Sequence, residues 1–107
     1  MRVLLDEQLD WQLRRSFGEG FEVETVSWRG WKGKKNGELL ALMEEAGFDA
    51  LVTIDRGIPH QQNLSGFAVA VVSLRARSSR LGDTALIVEG HLDEIRSAPP
   101  GKATRLP

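Results

Sequence analysis

The sequence predicts an α/β domain of three layers, α/β/α, with a mostly parallel central sheet. Three observations lead there. The runs Val3-Leu4-Leu5, Ala50-Leu51-Val52-Thr53-Ile54 and Phe67-Ala68-Val69-Ala70-Val71-Val72 are apolar at consecutive positions, as strands buried on both faces are. Helix-patterned segments separate most of these runs, giving the order β-α-β-α-β-β-α and a sheet covered on both sides. The chain has 107 residues, 41% hydrophobic and 27% charged, which suits one folded domain spanning residues 1–107.

The first strand, Val3 to Leu5, is stopped by Asp6 and Glu7. From Gln8 to Phe17 the residues Leu9, Leu13 and Phe17 recur four apart, with Trp11 off the stripe, which predicts an amphipathic helix closed by Gly18 and Gly20. Phe21, Val23 and Thr25 alternate with Glu22 and Glu24 and predict a second strand nearer an edge. A loop from Ser27 to Lys35 carries Trp28 and Trp31. Asn36 then has the character of an N-cap, Glu38 sits in the first turn, and Leu39, Leu40, Leu42 and Met43 form the buried stripe of a helix ended by Gly47.

The Ala50–Ile54 strand again stops at an aspartate, Asp55. A polar stretch from His60 to Ser65 leads to the Phe67–Val72 run, the most β-prone of the chain. Arg75 to Arg80 reads as a basic loop, and a helix runs from Gly82-Asp83 through Ile87, Val88, Leu92 and Ile95 to Pro99-Pro100-Gly101. The tail predicts an edge strand over Ala103 to Leu106.

Fourteen Lys and Arg nearly balance fifteen Asp and Glu, so any nucleic-acid contact must come from a local patch. The lack of cysteine removes disulfides, thiolate chemistry and Cys-ligated zinc, and suits a reducing cytoplasm. Neither a signal segment nor a membrane span is expected. There is no Walker phosphate loop, dinucleotide fingerprint or nucleophile elbow. His60 and His91 have no partners at zinc-ligand spacing.

Sites in folds of this class lie at the carboxyl ends of the strands, which gives weight to Asp6 and Asp55. Two carboxylates brought together there raise each other's pKa unless a cation lies between them. Hard ions such as Mg²⁺ or Mn²⁺ suit such oxygens, and metal-assisted phosphodiester cleavage follows from that chemistry. The competing reading is that both aspartates simply end strands. Arg75, Arg77 and Arg80 share the acids' edge if their strand is parallel to the first, as a phosphate-binding rim or as a solvated loop. Lys32, Lys34 and Lys35 offer an opposite rim, beside which Trp28 and Trp31 either stack on bases or serve in the commoner roles of burial under the sheet or a protein interface.

Val3-Leu4-Leu5-Asp6-Glu7 followed by a helix, Gly33-Lys34-Lys35-Asn36-Gly37-Glu38-Leu39-Leu40, Leu51-Val52-Thr53-Ile54-Asp55-Arg56 and Pro59-His60-Gln61-Gln62-Asn63-Leu64 occur in an order that resembles the compact PIN-like proteins related to VapC-type ribonuclease toxins. The resemblance covers almost the whole chain. It implies a PIN-like fold and a Mg²⁺- or Mn²⁺-dependent endoribonuclease, the toxin component of a bacterial toxin–antitoxin pair. Its implied partners are an RNA substrate, a small antitoxin protein and a second copy in a homodimer. Asp6 would be the first acid, Asp55 the later one and Thr53 a site-lining hydroxyl.

Many compact relatives have an aspartate at the start of the second helix, where this chain has Asn36, with Glu38 two positions on. Asn36 is then an amide ligand or a cap, and Glu38 a ligand or an ordinary first-turn acid. Glu7 joins the site only if the strand has already turned. Arg56 and the amides Gln61, Gln62 and Asn63 follow Asp55 as substrate-binding candidates, in place of the fourth acid usual in larger PIN nucleases. The alternative is a catalytically inactive PIN-like module that binds nucleic acid or protein.

Overall fold

The computed structural model describes residues 1–58 and 63–107. Five strands, β1 (Arg2–Leu5), β2 (Glu22–Thr25), β3 (Ala50–Thr53), β4 (Ala70–Leu74) and β5 (Ala103–Leu106), form one sheet in the order β2-β1-β3-β4-β5. Every neighbouring pair is parallel. Among the described residues the helices are α1 (Asn36–Ala46), α2 (Leu81–Gly90) and α3 (Leu92–Arg96), with short 3₁₀ helices at Trp11–Ser16 and Leu64–Gly66. None of the described helices is long and apolar enough to cross a membrane.

Side-chain alternation along the strands builds two cores. Val3 and Leu5, Ala50 and Val52, and Ala70, Val72 and Leu74 point to the face covered by the first 3₁₀ helix, α2 and α3, where they meet Leu13, Val88 and Ile95. Leu4, Leu51 and Val71 point to the other face and meet Leu39, Leu40 and Met43 of α1. A parallel strand buried on both sides is apolar along most of its length, as β1, β3 and β4 are, with polar residues only towards their ends at Arg2, Thr53 and Ser73. The result is the expected three-layer α/β/α arrangement, its sheet entirely parallel.

Four local expectations need correction. The Leu9, Leu13, Phe17 stripe is buried as expected, but its helix is a 3₁₀ segment over Trp11–Ser16. The Asp10 side chain accepts from Gln12 N–H and starts the helix late, and Phe17 N–H closes it on Arg14 C=O. Asn36 is not an N-cap. Lys35 holds that position in extended conformation and makes no side-chain cap hydrogen bond, so Asn36 is the first helical residue. The strand expected at Phe67–Val72 begins only at Ala70. Phe67 N–H turns back to Leu64 C=O, and Ala70 N–H is the first to reach β3's entry, at Asp49 C=O. Finally, the helix expected from Gly82 through Ile95 is two helices. His91 leaves helical geometry (φ −135°, ψ 29°), with its Nδ1 2.7 Å from Ile87 C=O.

Candidate active site

From β1 the chain passes to β2 on one side, and β3 lies on the other. The carboxyl ends of β1 and β3 therefore flank the topological switch point, where a crevice opens in doubly wound sheets. Asp6 and Asp55 follow those two strands.

The strand turns at Asp6. Its N–H donates to Val52 C=O at 3.0 Å, still part of the β1–β3 ladder, while its C=O accepts from Leu9 N–H at 3.0 Å. The side chain is buried, and both carboxylate oxygens are engaged. Thr53 Oγ1 donates to Oδ2 at 2.6 Å, and Glu7 N–H donates to Oδ1 at 2.9 Å. Thr53 is fully buried at the end of β3. Its hydroxyl also accepts from Asp55 N–H at 3.0 Å, and Asp55 Oδ1 accepts from Gly57 N–H at 2.8 Å. One hydroxyl thus ties the first acid to the turn that carries the second. Because that turn draws Asp55 N–H to a side chain, β3 ends at Thr53 and Ile54 lies outside the ladder.

Burial pushes the Asp6 carboxyl above its ordinary range. The hydrogen bonds from Thr53 and Glu7 N–H oppose the shift, and the charges of Glu7 and Asp55 add to it. Asp6, Glu7 and Asp55 therefore sense one another. Glu7 is exposed, and its Oε1 accepts from Gly33 N–H at 3.3 Å, which brings the loop before α1 to the acids. A groove of about 300 Å³ runs from Asp6 and Glu7 past Asp10 and Trp11 to Thr25 and Ser27.

Glu38 is exposed on α1 with Lys34 Nζ 4.0 Å away, and the acids bearing on Asp6 are Glu7 and Asp55 instead. Asn36 lies on the same helical face as Leu39, Leu40 and Met43 and is half-buried. Asn63 Oδ1 accepts from the N–H and Oγ of Ser65, at 3.2 and 2.7 Å, and so caps the short 3₁₀ helix. Gln61 and Gln62, with His60, lie outside the described residues.

A second concavity, about 230 Å³, is lined by Arg56, Ser73, Arg75 and Arg105. It lies at the carboxyl end of β4, where Thr53 pairs with Ser73 and Ser73 with Arg105 in the parallel register. Arg77 and Arg80 do not line it. Both are exposed, and Arg80 is the N-cap of α2, its N–H donating to Ser78 Oγ at 3.1 Å. The basic loop thus delivers one arginine, Arg75, and the edge strand supplies another that sequence reasoning missed. The signal was available: a tail strand parallel to β4 brings Arg105 beside the loop.

Trp31 packs edge-on to Phe48, with ring centroids 6.1 Å apart, and the Arg29 guanidinium lies 4.7 Å from its ring. Trp28 is 83% exposed. Lys32, Lys34 and Lys35 are exposed on the same loop.

Among the described residues, no group of three or more histidine or acid side chains comes together to hold a metal ion. The donor set is carboxylate oxygen, the kind Mg²⁺ takes one or two of while keeping several waters, and the charges of Glu7 and Asp55 both act on Asp6. The chain matches no family model, no curated protein and no solved structure.

Proposed function

We propose that this chain is a PIN-like endoribonuclease that depends on Mg²⁺ or Mn²⁺ and cleaves RNA at the carboxyl ends of β1 and β3. The observation that carries this reading is the Asp6–Thr53–Asp55 relay at the switch point, with an arginine-lined concavity beside it. Asp6 and Asp55 would hold the ion, with Glu7 nearest among the remaining acids. Such an ion supplies charge neutralisation at the phosphate and activation of water. Thr53 fixes the orientation of the Asp6 carboxylate. Arg56, Arg75 and Arg105 offer guanidinium donors to the phosphates flanking the cleaved bond.

RNA as substrate is supported by the resemblance to VapC-type toxins. The toxin role, the small antitoxin partner, a homodimer and a cytoplasmic location rest on that resemblance, and the lack of cysteine agrees with the last of them. One observation favours a second reading, a PIN-like module that binds without cleaving: no third acid joins Asp6 and Asp55 among the described residues apart from exposed Glu7.

The test is cleavage of a labelled single-stranded RNA by purified protein with Mg²⁺ or Mn²⁺, beside calorimetric titration of the same ions. Cleavage that is lost in EDTA and in Asp6→Asn is expected. Equal cleavage by wild type and Asp6→Asn would refute the reading, and neither heat nor cleavage would leave the binding module.

A further inference from the structure

Beside the acid groove lies a larger cleft, about 540 Å³, lined by Trp11, Arg14, Val23, Glu24 and Trp28 among others. Single exposed apolar side chains are unremarkable on a protein surface. Here two tryptophans, 51% and 83% exposed, line the same cleft. We propose that this cleft is a base-stacking subsite, in which Trp11 and Trp28 hold an unpaired base of single-stranded RNA while Arg14 and Arg15 meet the adjoining phosphate. The identity of the ligand rests on the ribonuclease reading above.

Three features select a polynucleotide over a protein strand. Arg14 and Arg15 each place a guanidinium 5.3 Å from the Trp11 ring centre, and neither has an acidic partner among the described residues. The one acid of the cleft, Glu24, is held by Arg2 at 3.1 Å and Arg29 at 3.5 Å, so the free charge is positive and complements a polyanion. The cleft and the acid groove share Trp11, Thr25 and Ser27, so the two concavities adjoin and one strand can occupy both. Trp faces stack on any base, and neighbouring arginines add to the attraction.

The open edge of β2 forms part of the same cleft. It is four residues long and carries Glu22 and Glu24, features that discourage addition of another strand.

The order across the sheet gives the subsite its place. The tryptophan cleft lies at β2, the acids at β1 and β3, and the arginine concavity at β4 and β5. At a strand spacing of about 4.8 Å, the distance from β2 to β4 is roughly 15 Å. An extended strand then crosses the acids with a base gripped on one side and phosphates on the other.

The experiment is tryptophan-fluorescence titration with hexauridylate in EDTA, where no cleavage competes. Saturable quenching is expected for wild type. Trp11→Ala and Trp28→Ala should each weaken binding roughly 5- to 150-fold, and Trp28→Phe should restore most of the loss. Arg14→Gln with Arg15→Gln should lower the slope of log affinity against log salt by roughly 1.4. Both tryptophans are exposed, so unchanged thermal melts would show that the variants fold.

Wild-type affinity in the Trp11→Ala, Trp28→Ala double variant would overturn the subsite, even if metal-dependent cleavage persisted and the ribonuclease reading stood. Tryptophan-dependent binding with no cleavage in any metal would keep the subsite and reject the nuclease. No binding by wild type would overturn it. So would sedimentation showing a dimer that the double variant dissolves while RNA affinity is unchanged, which would make the face a protein interface.

Discussion

Thr53→Val tests whether one buried hydroxyl organises the acid site. Valine matches threonine in shape, and Thr53 is fully buried, so the substitution leaves packing intact and deletes two hydrogen bonds. The bond to Asp6 Oδ2, at 2.6 Å, has a charged acceptor and is the kind that contributes about 1.5–3 kcal/mol. The bond from Asp55 N–H, at 3.0 Å, lies where that residue is only half-buried, so water replaces much of it. The extra methyl returns less than about 1 kcal/mol. The expected net loss is about 1–3 kcal/mol at neutral pH, or roughly 5–15 °C in melting temperature.

The pH dependence has a definite sign. Thr53 lowers the Asp6 pKa against the rise caused by burial, so the variant's folded-state pKa lies higher still. The loss is largest where Asp6 is charged in wild type and shrinks as acid protonates it in both proteins. Urea denaturation across that range is the assay. A loss below about 0.5 kcal/mol, or an equal loss at pH 8 and under acid, would refute the relay. A double-mutant cycle with Asp6→Asn should show coupling of at least about 1 kcal/mol.

Removing the buried charge itself should stabilise the metal-free protein. The folded pKa of Asp6 is raised above its ordinary 3.8. Its favourable contribution is therefore complete below that value and is lost as pH rises through the folded pKa. Asp6→Asn should then be more stable than wild type at neutral pH, with the gain shrinking on acidification. A variant less stable than wild type at pH 7–8 in EDTA would contradict this. Glu38→Gln should leave stability within about 0.5 kcal/mol and cleavage within about twofold, as kinetics on the RNA substrate would show. By contrast, Asn36→Asp should tighten Mg²⁺ binding in calorimetry. The reverse order of effects would place Glu38 in the site.

Those elements whose apolar pattern has a single interpretation were legible in the sequence. Val3-Leu4-Leu5 and Ala50-Leu51-Val52 sit in β1 and β3 as short apolar runs bounded by polar residues suit strands buried on both sides, and even the short tail strand Ala103–Leu106 lies where the pattern put it. The misplaced boundaries share a cause. Phe67 and Val69 are packed with α1's core, so hydrophobicity extended the apparent strand over a turn that a backbone bond to Leu64 defines. Leu9, Leu13 and Phe17 fit an α-helix or a 3₁₀ turn packed on the same face, and only the start at Asp10 has a local hydrogen-bond signal. The break at His91 likewise depends on backbone geometry that hydrophobic spacing does not encode.

Within the site, Asp6 and Asp55 were legible because each ends a recognisable central strand, but their connection through Thr53 required the register. Leu5 lies opposite Val52 and Thr53 opposite Ser73, which sets the Thr53 hydroxyl beside the residue after Leu5. The choice between Asn36 and Glu38 was more accessible than it looked. In α1 the buried residues Leu39, Leu40 and Met43 define one face, and position 36 precedes them by three, four and seven residues, the spacing of a single helical stripe. Glu38 precedes them by one, two and five, which turns it away from that face, and its partner there is Lys34. The half-buried asparagine therefore holds the position from which α1 can address the sheet. Under the proposed metal reading, an amide at position 36 would contribute an oxygen without adding to the charges of Glu7 and Asp55 that already act on buried Asp6, so the gain expected from Asn36→Asp in Mg²⁺ binding should come with a loss of stability in EDTA.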